Sequence, residues 1–182
     1  MKKLIRFALV LGTMLLATVG WAADAPISMY ATSNAFEDGG IIPLKFTSHG
    51  ESVQPDFTIH GAPDTAVSFA IIFHDMEVAL RGTPEDVLHW IAWNIPSGDI
   101  PEGRLPEGGV QGANIRGSNE YIGPGANNPG KYNHYVFEIY ALSRMLDLPA
   151  TASRPQLLEV MSGKIVAKTA YVGKFSRALV NE

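Results

Sequence analysis

An all-β sandwich with one or two short helices is the fold class that the sequence predicts, and three observations predict it. Ser68 to Phe73, Leu88 to Ile95 and Tyr135 to Leu142 are apolar on both faces, as strands buried within a sheet are. Gly and Pro, 18 and 12 among 182 residues, punctuate the chain at short intervals, as turns between many strands do. Helical signal is sparse. Strands that are apolar on both faces need a second layer against them, and a sandwich supplies one.

The first 23 residues stand apart. Lys2, Lys3 and Arg6 open the chain, Phe7 to Val19 is apolar, and Gly20-Trp21-Ala22-Ala23 offers small residues for cleavage. This is the pattern of a secretory signal peptide, with the cut after Ala22, Ala23 or Ala25. The apolar stretch is shorter than the ~20 residues a spanning helix needs. An uncleaved N-terminal anchor is the competing reading; a lipid-modified Cys is excluded, because there is no Cys. The expectation is one exported domain, residues 24–182, in the periplasm or outside the cell.

Within that domain Ile27 to Ala31 and Ile41 to Thr47 read as strands, the second at an edge or bulge because of Pro43. Phe57 to His60 is a short strand closed by the turn Gly61-Ala62-Pro63-Asp64. Ser68 to Phe73 reads as central, Leu88 to Ile95 ends at Pro96, and Tyr135 to Leu142 is rich in aromatic and β-branched residues. Ser153 before Pro155, then Leu157, Leu158 and Met161, predicts a short capped helix that stops at Gly163. Ala170 to Phe175 reads as the last strand. Between these elements Ser97 to Gly130 holds nine Gly and four Pro with little periodicity. So long an irregular stretch reads as an ordered loop region lining a site.

Charge and cysteine usage narrow the function classes. Removing the signal takes away three of 14 basic side chains and none of the 18 acidic ones, leaving 11 against 18. That surface repels nucleic acid and anionic membranes at long range. A local anion site is still allowed, because a pocket's field depends on its own lining. With no Cys there is no disulfide, thiol nucleophile or thiolate metal site.

Four short clusters carry the chemistry: Asp75-Met76-Glu77, His89-Trp90, Gly123-Pro124 and Tyr135. Strand alternation puts Asp75 and Glu77 on one side and His74 on the other. A carboxylate beside an imidazole orients the ring and favours the imidazolium, which donates to an anion. The bland reading leaves Asp75 and Glu77 as solvated turn residues and His89 as a core histidine. Trp90, Trp93, Phe137 and Tyr140 read as core.

The clusters, with Gln111-Gly112-Ala113-Asn114, Tyr121-Ile122-Gly123-Pro124-Gly125, Asn133-His134-Tyr135 and Tyr171-Val172-Gly173-Lys174-Phe175, occur in an order that resembles the phosphatidylethanolamine-binding protein family. The likeness covers residues 27–177 and is nearest the secreted bacterial, Raf-kinase-inhibitor-like branch. It implies a Greek-key sandwich of two antiparallel sheets and a small pocket for phosphate-bearing groups. Carried over by residue, it implies ligand-binding roles for Asp75, Glu77, His89, Gly123, Asn133 and Tyr135. It implies no cofactor and no metal, a small anionic ligand, a protein partner in some members, and homodimers among bacterial relatives.

Departures from the family pattern modify that pocket. Met76 and Ala79 replace usual prolines, and Glu77 replaces an Asp and would reach further into the pocket. Asn127 and Asn128 stand where the family loop is Pro-rich. Alignment on Tyr135-Val136-Phe137 puts Asn133 at a pocket His position; a one-residue slip would return His134 to it but reverse every facing in the strand. Asn donates a hydrogen bond but carries no charge.

Other chemistries are weaker. His74, Asp75, Glu77 and His89 are metal-ligand types without metal-site spacing. Gly123-Pro124-Gly125 lacks the third Gly and the following helix of a dinucleotide loop. No Gly-x-Ser-x-Gly is present, and Ser68 and Ser97 have no base nearby in sequence. The leading expectation is a binding protein for phosphate-bearing ligands, either a phospholipid headgroup or a phosphorylated group. An interaction or inhibitor module is second, and a weak hydrolase third.

Overall fold

The computed structural model describes residues 28–126 and 130–181. The signal-peptide segment and Asn127-Asn128 lie outside those residues. Two sheets form the body. The smaller holds β1 (Tyr30–Thr32), β3 (Phe57–His60) and β6 (Asp99–Ile100) in the order β1-β3-β6. The larger holds β2 (Gly40–Ile41), β4 (Ser68–Asp75), β5 (Val87–Ile95), β7 (Val110–Gln111), β8 (Asn133–Leu142) and β9 (Ile165–Phe175), ordered β2-β9-β8-β4-β5-β7. All pairings are antiparallel except that β2 runs parallel to β9.

The three strongly apolar strands are the centre of the large sheet, and alternation divides their side chains. Phe69, Ile71 and Phe73 of β4 join Trp90, Phe137, Tyr135 and Tyr171 between the two sheets. Ala70 and Ile72 point the other way, with Ile91, Trp93 and Leu142, under helix α1 (Arg154–Met161) through Leu157 and Met161. Two-sided apolarity therefore has two causes: the small sheet covers one face and the helix the other. Ser153 caps α1 by a reciprocal box with Gln156, and Pro155 stands in the first turn, where a missing N–H costs nothing.

Two bulges re-aim β5. Opposite Phe69 to Ile71 the partner jumps from Ile95 to Ala92, and Asn94 takes the left-handed backbone, φ 56°. Its side chain holds the next loop, donating to Leu146 O at 2.9 Å and accepting from Leu146 N at 2.7 Å. Opposite Phe73 to His74 the partner jumps from Trp90 to Leu88. His89 is the extra residue there, so His89 and Trp90 both face inward.

One expected strand is absent. Only Gly40 and Ile41 of that region pair with β9; Leu44–Phe46 is a 3-10 turn. Pro43 has no N–H to give a ladder and its φ is −61°, while its carbonyl accepts from Phe46 N at 3.0 Å and starts the turn. The last strand begins at Ile165, five residues before Ala170. Among its described residues, the irregular stretch contains only the two-residue β6 and β7 as strands.

The Phe73 and Phe137 rings stack at 3.8 Å between centroids, and both side chains are fully buried. Phe137→Ala should cost about 3–5 kcal/mol in chemical denaturation; a loss below about 1 kcal/mol would show that this stack is not central to the core.

Candidate functional site

At one end of β4, β5 and β8 lies a cavity of about 200 Å³. Asp75 and Val78 come from the end of β4, Val87 and His89 from β5, and Ile115 and Arg116 from the loop after β7. Ile122, Gly123, Gly125 and Ala126 close it from the next loop, with Ser48 beside them.

Asp75 is 3% exposed and both its oxygens accept hydrogen bonds. Oδ1 takes the Glu77 N–H at 3.0 Å, and Oδ2 takes the Asn133 amide at 2.8 Å. These bonds compensate a carboxylate removed from water. Asn133 is on the inner face because β8 alternates: Asn133 and Tyr135 are buried, and His134 between them is exposed. The Tyr135 hydroxyl accepts from Ala126 N at 3.0 Å. Burial, then the Asp75 charge, raise its pKa, so the phenol stays protonated.

His89 is buried beside Phe73 and edge-on to Tyr135. Its Nδ1 donates to Ile122 O at 2.9 Å. Nε2 has no protein partner among the described residues and is the nitrogen left for the cavity. Burial lowers the pKa below the usual 6.5, outweighing the Ile122 carbonyl and Asp75, which raise it; Arg116 and His74 add to the lowering. The ring is therefore neutral at pH 7, with its proton on Nδ1.

The wall around Gly123 is built by close approach. A Cβ there would lie 2.4 Å from the Thr47 carbonyl carbon and 2.6 Å from Phe46 O. The Gly123 N–H donates to Ser52 Oγ at 2.9 Å, Ser48 N and Oγ both donate to Pro124 O, and His49 Nε2 meets Gly125 O at 3.0 Å. The Tyr121 hydroxyl donates to Phe46 O at 2.9 Å.

The structure brings Asp75, His89 and Gly123 to the cavity surface and places Asn133 and Tyr135 directly behind Asp75. Glu77 departs from expectation. It turns away from the cavity and grips His134, accepting the backbone N–H and meeting Nδ1, both at 2.6 Å. Met76 N also donates to His134 O, so the turn folds over β8 and carries the Glu side chain to the outer face. His74 lies on the helix side, where Asp86 contacts its Nδ1 and Arg154, each at 2.5 Å. It cannot join His89 around one metal ion. Ser68 and Ser97 donate to the carbonyls of Arg144 and Asp99, not to a base.

Sequence reading missed Arg116, Ile115 and Ser48. The nearest signal was Asn114, whose amide organises the loop. Its Oδ1 accepts from Arg116 N at 2.9 Å and Ser118 N at 3.2 Å, and its Nδ2 donates to Ser118 Oγ and Glu120 O.

A sequence model described as phosphatidylethanolamine-binding protein matches residues 32–176. A UPF0098 protein of Methanothermobacter thermautotrophicus is 36% identical over 157 residues, 82% of this chain and 99% of its own. One from Pyrococcus horikoshii is 34% identical over 97% of this chain and 91% of its own. Among solved structures, a putative phosphatidylethanolamine-binding protein homologue of Chlamydia trachomatis superposes with a TM-score of 0.76 at 30% identity, covering 83% of this chain and 99% of that one. Escherichia coli YbcL, described as a member of the mammalian family, has a TM-score of 0.73 at 23% identity, over 82% and 98%.

Two outcomes follow from the geometry. Gly123→Ala should force the Gly123–Ala126 wall off the Phe46–Ser48 backbone, lowering the melting temperature and raising amide exchange at Ser48 and Ala126; unchanged exchange would refute the close approach. Because the folded-state pKa of His89 is lowered, its contribution to stability is present above pH 6.5 and is lost as pH falls below that value. The stability advantage of the native protein over His89→Gln should shrink between pH 7 and pH 5, as read by urea midpoints; a constant difference would contradict it.

Proposed function

The chain belongs to the phosphatidylethanolamine-binding protein family, and we propose that it is an exported member whose cavity binds the phosphate group of a small ligand. The single observation that carries this reading is the free Nε2 of His89. Nδ1 is committed to Ile122 O, so proton uptake occurs at the atom facing the cavity. An imidazolium at that atom donates a charge-assisted hydrogen bond to a phosphate oxygen.

Asp75 would seem to oppose an anion. Its oxygens are occupied by the Glu77 N–H and the Asn133 amide, which spread its charge over donors. The remaining lone pairs suit a cationic or hydroxyl group on the same ligand, and they also favour the imidazolium of His89. Asn133 contributes a fixed donor and no charge. Export is supported by the basic, apolar and small-residue order of residues 1–23. A lipid headgroup and a phosphorylated small molecule or side chain share the chemistry this cavity offers.

The test is calorimetric titration with phosphoethanolamine, and with the same headgroup on short-chain lipid, across about pH 5 to 8. The free-state His89 pKa lies below 6.5 and a bound anion raises it, so affinity should climb as pH falls through the bound-state pKa and level off once pH is below the free-state value. A tighter fit for the lipid form identifies a headgroup site; equal affinity identifies the phosphate group itself. No heat and no competition with either probe at any pH would end the proposal.

A further inference from the structure

We infer that Arg116 is the permanent cation of this pocket, the residue that holds a ligand's phosphate when His89 is neutral and so sets affinity at neutral pH. The inference rests on the phosphate-pocket reading and adds the group that reading lacks. His89 is neutral at pH 7 and Asn133 has no charge. Among the described residues that line the cavity, Arg116 alone bears a fixed positive charge.

Three observations place it there. Arg116 lines the same cavity as His89 and Asp75, and its charge is felt at the His89 ring. Its guanidinium makes no ion pair or hydrogen bond among the described residues, although five donors are available. Its backbone is fixed: Asn114 Oδ1 accepts its N–H, the Ile115 N–H donates to Leu88 O, and Gly117, at φ 77°, closes the turn back to Asn114 O. The side chain therefore leaves a fixed loop at the cavity, with no hydrogen-bond or ion-pair partner among the described residues.

The groups facing His89 complete the electrostatics. Asp75 and His74 come from β4, Tyr135 from β8 and Arg116 from the loop. Tyr135 stays protonated, His74 is on the far face against Asp86 and Glu138, and Asp75 is held by two donors. A phosphate beside the guanidinium would meet its donors at every pH, and a second donor at His89 Nε2 only once the ring is protonated. Arg116 attracts it at every pH; His89 adds attraction only after taking a proton. Two components should therefore appear in the binding profile.

The experiment uses inorganic phosphate and phosphoethanolamine as probes, with calorimetry at about pH 8 and about pH 5.5. Arg116→Gln should weaken binding about tenfold at pH 8, and Arg116→Lys should recover most of the loss. His89→Gln should abolish the rise in affinity at low pH while the Arg116→Gln loss at pH 8 persists in that background. Circular dichroism confirms that each variant is folded; Arg116 is an exposed loop residue, so the fold does not depend on it. If the native protein binds and Arg116→Gln binds equally well at pH 8, Arg116 is not the anion's cation, while the pocket reading stands. If the native protein binds neither probe at either pH, both fail.

Discussion

The bulge at His89 is the constraint on which the rest of the site depends. In a regular strand His89 and Trp90 would face opposite ways. The extra residue in β5 turns both inward. Trp90 then fills the core between the sheets, fully buried, its indole N–H donating to Gln111 at 2.6 Å. His89 reaches the end of the same core and binds Ile122 O, tying the sheet to the loop that carries Gly123. The loops also satisfy the backbone of the bulge, Ile122 N donating to His89 O at 3.2 Å and Ile115 N to Leu88 O at 3.0 Å.

A second consequence is electrostatic. The site is built around a carboxylate and an imidazole, yet neither is a free charge. Each Asp75 oxygen holds one donor, and burial keeps His89 neutral. The cavity lining therefore holds a hydrogen-bonded carboxylate, a neutral imidazole and one guanidinium. On the proposed reading, an anion bound there would stabilise the imidazolium, and binding would be linked to proton uptake. Glu77 and His134 pair with each other at the exposed surface.

The fold was legible where packing wrote a two-sided pattern. β4, β5 and β8 are apolar on both faces because each lies between the small sheet and α1, and a period-free apolar run reports that directly. β9 was half hidden: Ile165 to Ala170 lies at the solvent side, mostly exposed, and its mixed composition gives no core signal. Ile41 to Thr47 looked like a strand because its side chains are apolar, whereas Pro43 decides its backbone. At the site, Asp75 and His89 could be found because they sit at the ends of apolar strands, whereas Gly123, in an irregular loop, was reached only through the family resemblance. Glu77 could not be aimed from sequence, since the turn after β4 reverses its direction. Arg116 carried no signal of its own; a cation in a Gly-rich loop looks like any solvated side chain until Asn114 is seen to fix it.

The central claim is that His89 stands neutral with Nε2 free and takes a proton when an anion binds. Nitrogen-15 NMR of the His89 ring, titrated with pH in the absence and presence of saturating phosphate, measures it most directly. The account predicts an Nδ1–H tautomer that titrates below 6.5 in the free protein and clearly higher with phosphate bound. A ring that titrates at the same pH in both conditions, or that carries its proton on Nε2 in the free protein, would contradict it.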